Sequence, residues 1–209
     1  MKKILCSFLC ITLLCGCAPQ SHLQGDLSKK MKTLPRAVLP AKVKESPQPL
    51  REAAPPERKE EVIIIFDTPI KDYTENRINN INLACKAVKG HVLAPGEEFS
   101  FNNVVGQRTR KKGYKEAIIF AGGEKKKEIG GGICQLATTI YGAAKACGME
   151  ITERRGHGMA VTYAPKGEDA TVAYGLIDFR FKNAAPKPIM LDAACENGKV
   201  SVRIIQINF

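Results

Sequence analysis

Apolar positions recur at two periods along this chain, and the change of period marks the elements. Ile78, Ile81, Cys85 and Val88 fall at three-to-four spacing, which predicts a helix over 75–88 with one apolar face. Lys89-Gly90 follows as its stop. Ile133, Leu136, Ala137, Ile140, Ala143, Ala144 and Cys147 make a wider stripe. A second helix therefore starts near Cys134, ends at Gly148 and is central to the core. β-Branched and alternating runs predict strands at 61–66, 99–101, 116–121, 124–129, 151–154, 159–163, 171–181, 188–194 and 199–207. Asp67-Thr-Pro69 is expected to break the first strand, and the third-to-fourth pair is joined at Gly122-Gly123. Phe99 and Phe101 are expected on one face of their short strand. Glu196-Asn-Gly-Lys199 is a hairpin turn, and Arg108 to Lys112 a basic loop or helical turn. Asn76, Asn79, Asn80 and Asn82 are expected on the exposed side of the first helix, or lining a polar groove. The sum is an α+β domain over 62–209, with two main helices packed on mostly antiparallel sheet.

The first sixty residues read differently. Met1-Lys-Lys3 and the apolar run Ile4 to Leu14 make an export signal, and the run is too short for a stable span. Leu14-Cys-Gly-Cys17 looks like a bacterial lipobox, in which Cys17 is diacylated and residues 1–16 are removed. A plain secretory signal is the other reading. Residues 17–61 are rich in Pro, Lys and Glu, with Pro35, Pro40, Pro47, Pro49, Pro55 and Pro56 interrupting regular structure. They are expected to form a disordered tether, with Arg51 to Glu61 a solvated charge run. These features place the chain on the outward face of a bacterial cell membrane, held through lipid on Cys17.

Charge narrows the partners. The formal net charge is +11. It suits an anionic envelope as well as nucleic acid, and no nucleic-acid-binding motif accompanies it, so nucleic acid is not an expected partner. Cys85, Cys134, Cys147 and Cys195 lie in the predicted domain, and no disulfide is required among them. No CxxC spacing marks a zinc site, and neither metal nor cofactor is expected. Oligomeric state has no signature.

Candidate chemistry gathers at Gly130-Gly-Gly-Ile-Cys-Gln135, where the glycines run into the second helix. Glycine permits positive φ and close approach, and a helix N-terminus lowers a thiol's pKa. Cys134 is the candidate nucleophile. His157 follows in a loop as candidate base, and Asp169 twelve residues later as the carboxylate that orients the imidazole. Gln135 or N–H groups of Gly130, Gly131 and Gly132 are candidate oxyanion and substrate contacts. Thr138 and Thr139 lie one turn along the helix and would line the same site, unless they bond back to carbonyls. Tyr114, Tyr163 and Tyr174 are candidate sugar or peptide contacts. The bland alternative is a half-buried cysteine, a loop histidine and a turn aspartate. The glycines fit neither phosphate-loop pattern, so nucleotide is not expected.

These residues also carry a resemblance. Leu93-Ala-Pro-Gly-Glu-Glu-Phe-Ser-Phe-Asn102, Val105-Gly106, Gly113-Tyr114, Gly130 to Gln135, Thr138-Thr139, His157 and Asp169-Ala-Thr-Val172 resemble the VanW-like family in order and spacing, over about Thr74 to Ile207. The resemblance implies an association with cell-wall antibiotic resistance and supplies no reaction. Together with the residues it suggests cysteine-dependent acyl transfer or amide hydrolysis on peptidoglycan-related peptide. The alternatives are a non-catalytic module that binds cell-wall peptide, glycan or an envelope partner, and a purely structural role.

Overall fold

The structure is a computed structural model that describes residues 57–121 and 124–209. The export signal, Cys17, most of the tether and Gly122-Gly123 lie outside the described residues. Described elements run β1 (Lys59–Pro69), α1 (Glu75–Val88), β2 (His91–Leu93), β3 (Glu98–Ser100), α2 (Phe101–Val105), β4 (Glu116–Ala121), β5 (Glu124–Ile129), α3 (Ile133–Ala146), β6 (Glu150–Glu153), β7 (Arg180–Lys182), β8 (Ile189–Glu196) and β9 (Lys199–Asn208). A single 3-10 turn, Arg110–Lys112, sits between α2 and β4. Sheet order is β1-β9-β8-β2, with smaller sheets β3-β7-β6 and β4-β5, and all pairing is antiparallel. The domain is α+β, as the periodicity indicates.

The stripe on α3 explains its central place. Leu136, Ala137, Ile140, Ala143 and Ala144 are fully buried, against Val200, Val202 and Ile204 of β9 and Ile81, Ala84 and Val88 of α1. Burying each Leu or Ile contributes about 1.5–3 kcal/mol. Gly142 admits β1 to this helix, because a Cβ there would stand 2.2 Å from the Phe66 ring. Asn197 and Gly198 both take positive φ and turn β8 into β9, as a two-residue hairpin loop demands.

Several expectations are corrected. β1 begins at Lys59 and continues through Asp67-Thr-Pro69 without breaking. It is an edge strand, and proline is tolerated where no ladder donor is required. Phe101 belongs to a third, short helix, whose N-cap is Ser100: its hydroxyl accepts from Asn103 N–H. The asparagines of α1 are not an exposed row. Asn80 is fully buried, donates to the Lys115 and Gly131 carbonyls and accepts from Lys115 N–H. Asn76 and Asn79 donate to the Glu116 and Gly113 carbonyls. These bonds pin the 113–116 segment and the glycine run to α1.

The largest correction lies between β6 and β7. No strand forms at 159–163, and 171–181 yields only β7 and an isolated bridge from Ala173 to Ile177. Gly156, Gly158, Pro165, Gly167 and Gly175 interrupt the β-branched residues. The backbone finds side-chain partners instead of a ladder. This segment, 154–179, becomes a long loop across the start of α3. No helix among the described residues is long and apolar enough to cross a membrane.

Candidate active site

Cys134 is the second residue of α3, where N–H groups lack intrahelical acceptors and the helix dipole is positive. The glycine run ahead of it is packed closely on each side. A Cβ on Gly130 would come within 3.0 Å of the Arg108 stem, and one on Gly132 within 2.8 Å of the Arg77 stem. Gly130 and Gly132 also take positive φ, at 87° and 105°. A Cβ on Gly131 would lie 2.7 Å from the Ala117 carbonyl oxygen. Gly131→Ala is therefore expected to destabilise the fold by about 1–3 kcal/mol through forced backbone movement. Urea denaturation checks this, with Gly158→Ala, which meets nothing within 4 Å, as the near-silent control.

The loop brings His157 and Asp169 to the thiol. The Asp169 carboxylate is nearly buried, and its Oδ2 accepts from His157 N–H at 2.7 Å and lies 2.5 Å from His157 Nδ1. One oxygen thus fixes both the backbone and the ring of the histidine, and leaves Nε2 as the ring's other working atom. Arg154 holds the carboxylate's own backbone, its Nε donating to the Asp169 carbonyl at 2.7 Å and its Nη2 to the Gly167 carbonyl at 2.6 Å. Thr138 ties the loop to α3: its hydroxyl donates to the Ala170 carbonyl and accepts from Ala170 N–H. Cys134 Sγ lies 3.7 Å from Thr171 Oγ1 and 3.6 Å from the Val172 carbonyl oxygen.

Electrostatics follow from this packing. Burial pushes the Cys134 thiol up, but the neighbouring His157 imidazole first, and then the Val172 backbone, outweigh it, so its pKa falls below the ordinary value. Burial pushes His157 down, but Cys134 and then Asp169 raise it above the usual imidazole range. Burial also pushes Asp169 up, and the bonds from His157 bring it below the usual carboxylate range. The three shifts favour a thiolate, an imidazolium and a carboxylate together. By contrast, burial, with the charges of Cys195 and Asp192, drives the Cys85 thiol up to about 12, and burial alone raises Cys147. All four described cysteines are free thiols.

The candidate contacts divide. Gln135 is fully buried; its Oε1 accepts from Arg77 at 2.8 Å and its amide donates to Thr68 Oγ1 and the Pro69 carbonyl. Thr139 is fully buried and donates back to the Gln135 carbonyl at 2.7 Å. Thr138 reaches a cavity of about 440 Å³ between the end of β1, α3 and Tyr163-Ala-Pro165. Tyr163 lines the same cavity as Thr138, with its phenol driven up by burial and by the nearby Cys134. Tyr114 is buried in the core, and Tyr174 is half exposed.

Residues outside the sequence reading complete the surroundings. Arg108 lies with its guanidinium 5.8 Å from the Tyr174 ring centre and 5.7 Å from that of Phe101. Asp178 is a buried hub. It accepts from Ser100 Oγ at 2.6 Å, Asn102 N at 2.9 Å, Phe179 N at 2.9 Å and Arg180 Nε at 3.0 Å. Asn102 in turn donates to the Ala173 and Ile177 carbonyls and accepts from Arg108. Nothing in the local sequence separates Arg108 from Arg110 or Lys112, and only the tertiary contact does.

Comparison with known proteins agrees with the motif. The chain is 45% identical to the Uncharacterized protein YoaR of Bacillus subtilis over 139 residues, 66% of this chain and 46% of the relative. It is 33% identical to the Vancomycin B-type resistance protein VanW of Enterococcus faecalis over 116 residues, 53% of this chain and 42% of the relative. The match thus spans less than half the length of each relative. No solved structure matches. A family model described as VanW like protein matches residues 76–205, well over half of the chain, and the protein belongs to the VanW-like family.

Proposed function

We propose that this protein is a cysteine-dependent acyl-transfer or amide-hydrolysing enzyme of the bacterial cell envelope, acting on peptidoglycan-related peptide. The observation that carries the proposal is the Asp169–His157 pair docked beside Cys134 at the start of α3. In this reading the Cys134 thiolate adds to an amide carbonyl and the imidazolium of His157 gives its proton to the leaving amine. Asp169 keeps the ring in one tautomer. The N–H groups of Gly130, Gly131, Ile133 and Gln135 are given to the carbonyls of Lys115, Glu128, Gly130 and Gly132, so the N–H of Cys134 itself is the donor that stabilises the oxyanion. The export signal and the cysteine at position 17 support a lipid-anchored, outward-facing location. The resistance named for the enterococcal relative supports a cell-wall substrate.

A second reading, a non-catalytic module that binds wall polymer, draws on one observation: the Gln135 amide is committed to Arg77, Thr68 and Pro69 and offers nothing to an oxyanion. One experiment separates the two. The full chain is incubated with p-nitrophenyl acetate at neutral pH and its mass recorded. An acetyl group on Cys134, absent in Cys134→Ala, is the expected result. An unacylated Cys134, with salt-sensitive retention on purified sacculi that survives Cys134→Ala, would establish the binding module instead.

A further inference from the structure

The half-buried arginines of the domain are not alike. Arg154 and Arg180 each meet a carboxylate, Asp169 and Asp178 respectively. Neither Arg77, which donates to the buried Gln135 Oε1, nor Arg108 meets one among the described residues. Arg108 Nη1 donates to Asn102 Oδ1 at 2.8 Å and to the Gly106 carbonyl at 3.0 Å, which fixes the plane of the guanidinium. The rings of Phe101 and Tyr174 lie beside that plane, and Gly130 receives the stem. The Nε and Nη2 edge is left without a protein acceptor among the described residues.

Arg108 belongs to the neighbourhood of Cys134. Gly130 leads into the first turn of α3, and Tyr174 stands two residues after Val172, whose carbonyl touches Cys134 Sγ. The charge of Cys134 reaches Arg108, as does that of Asp178. The oxygens of Asp178 are already taken by Ser100, Asn102, Phe179 and Arg180. A partly desolvated cation is costly without an anion, and a guanidinium edge suits a carboxylate in a two-point grip.

We infer that Arg108 binds a substrate carboxylate next to the scissile amide, so that the acyl substrate is a peptide with a free C-terminal carboxyl group. The inference rests on the acyl-transfer reading and names its substrate class. The Cys134 thiolate bonds to the carbonyl carbon of the last amide. The C–N bond breaks, His157 gives its proton to the nitrogen, and the terminal amino acid leaves with its carboxylate on Arg108. Water or an amine then attacks the thioester, gives its proton to His157 and releases the thiolate.

Iodoacetate and iodoacetamide deliver the same carbon to sulfur and differ in the carboxylate. Their alkylation rates at Cys134 are read on the full chain by mass spectrometry of the peptide that carries it. The iodoacetate-to-iodoacetamide ratio, relative to that of the urea-unfolded chain, is expected at about ten, the equivalent of one charge-assisted hydrogen bond. Arg108→Gln should return it to one, and Arg108→Lys should keep part of it. Added acetate, against chloride at equal ionic strength, should slow iodoacetate in the unaltered chain. A ratio of one in the unaltered chain overturns the inference without any variant. So does a folded Arg108→Gln chain that keeps the preference, or one that slows both reagents equally, which would make Arg108 a thiolate stabiliser only. Slow labelling by iodoacetamide counts against acyl transfer, while the ratio still decides on the carboxylate site.

Discussion

At pH 6, His157→Ala is expected to slow iodoacetamide alkylation of Cys134 by about one to two orders of magnitude. The sign follows from the site. Burial alone raises the thiol's pKa, and His157 is the largest of the influences that lower it. With the ring gone, burial prevails and the thiol moves above its usual range. An ordinary thiol of pKa about 8.5 is only about 0.3% thiolate at pH 6. The intact chain starts from a depressed pKa and so keeps a far larger thiolate fraction. Part of that advantage is returned because a less basic thiolate is a weaker nucleophile. As pH rises, the intact chain reaches its plateau first and the variant catches up near its raised pKa. The two rate profiles should therefore converge at high pH. Equal rates at pH 6 would mean that the helix start, and not His157, sets the reactivity of Cys134.

Asp178→Ala is expected to cost about 3–5 kcal/mol of stability, the sum of leaving three buried donors without their acceptor at about 1–3 kcal/mol each. The substitution leaves Ser100 Oγ and the Phe179 and Asn102 N–H groups without their acceptor, in a region where Ser100, Asn102 and Phe179 are all buried. It also frees the entry to α2 and the 173–177 turn that Asn102 holds. For a domain of this size the melting temperature should fall by about 10 °C. Asp178→Asn keeps one acceptor oxygen and should lose roughly half as much. Equal stability of Asp178→Ala and the unaltered chain by urea titration would show that water replaces the carboxylate at no cost.

The sequence was legible where periodicity decides structure. α1 matches its expected span residue for residue, because Ile81, Cys85 and Val88 make a face that only a 3.6-residue turn can bury together. β4 and β5 also match, set by hairpin chemistry. Local patterns failed where side chains replace a ladder. Val161 and Thr162, and Thr171 and Val172, have strand propensity, yet their segment is organised by Arg154 at its start and by Thr138 and Asn102 from outside it. Asn80 shows the converse: a polar residue in a helix pattern looks exposed, and here it is buried because two carbonyls and an N–H need it. At the site, the types and order of Cys134, His157 and Asp169 were readable. Thr139 bonds back within its own helix, the local alternative for a helical threonine, whereas the commitments of Gln135 and the place of Arg108 depend on partners 58 to 67 residues away or on ring contacts that spacing does not encode.

Because Asp169 Oδ2 grips both the backbone and the ring of His157, and Thr138 latches the next residue onto α3, His157 and Asp169 arrive beside Cys134 as one piece. A newly made chain, before that docking, carries at position 134 a thiol of ordinary acidity. Its lowered pKa is thus acquired only on folding, when segments more than twenty residues apart close on each other. Until then the chain is no more exposed to adventitious acylation or oxidation at this position than at its other cysteines.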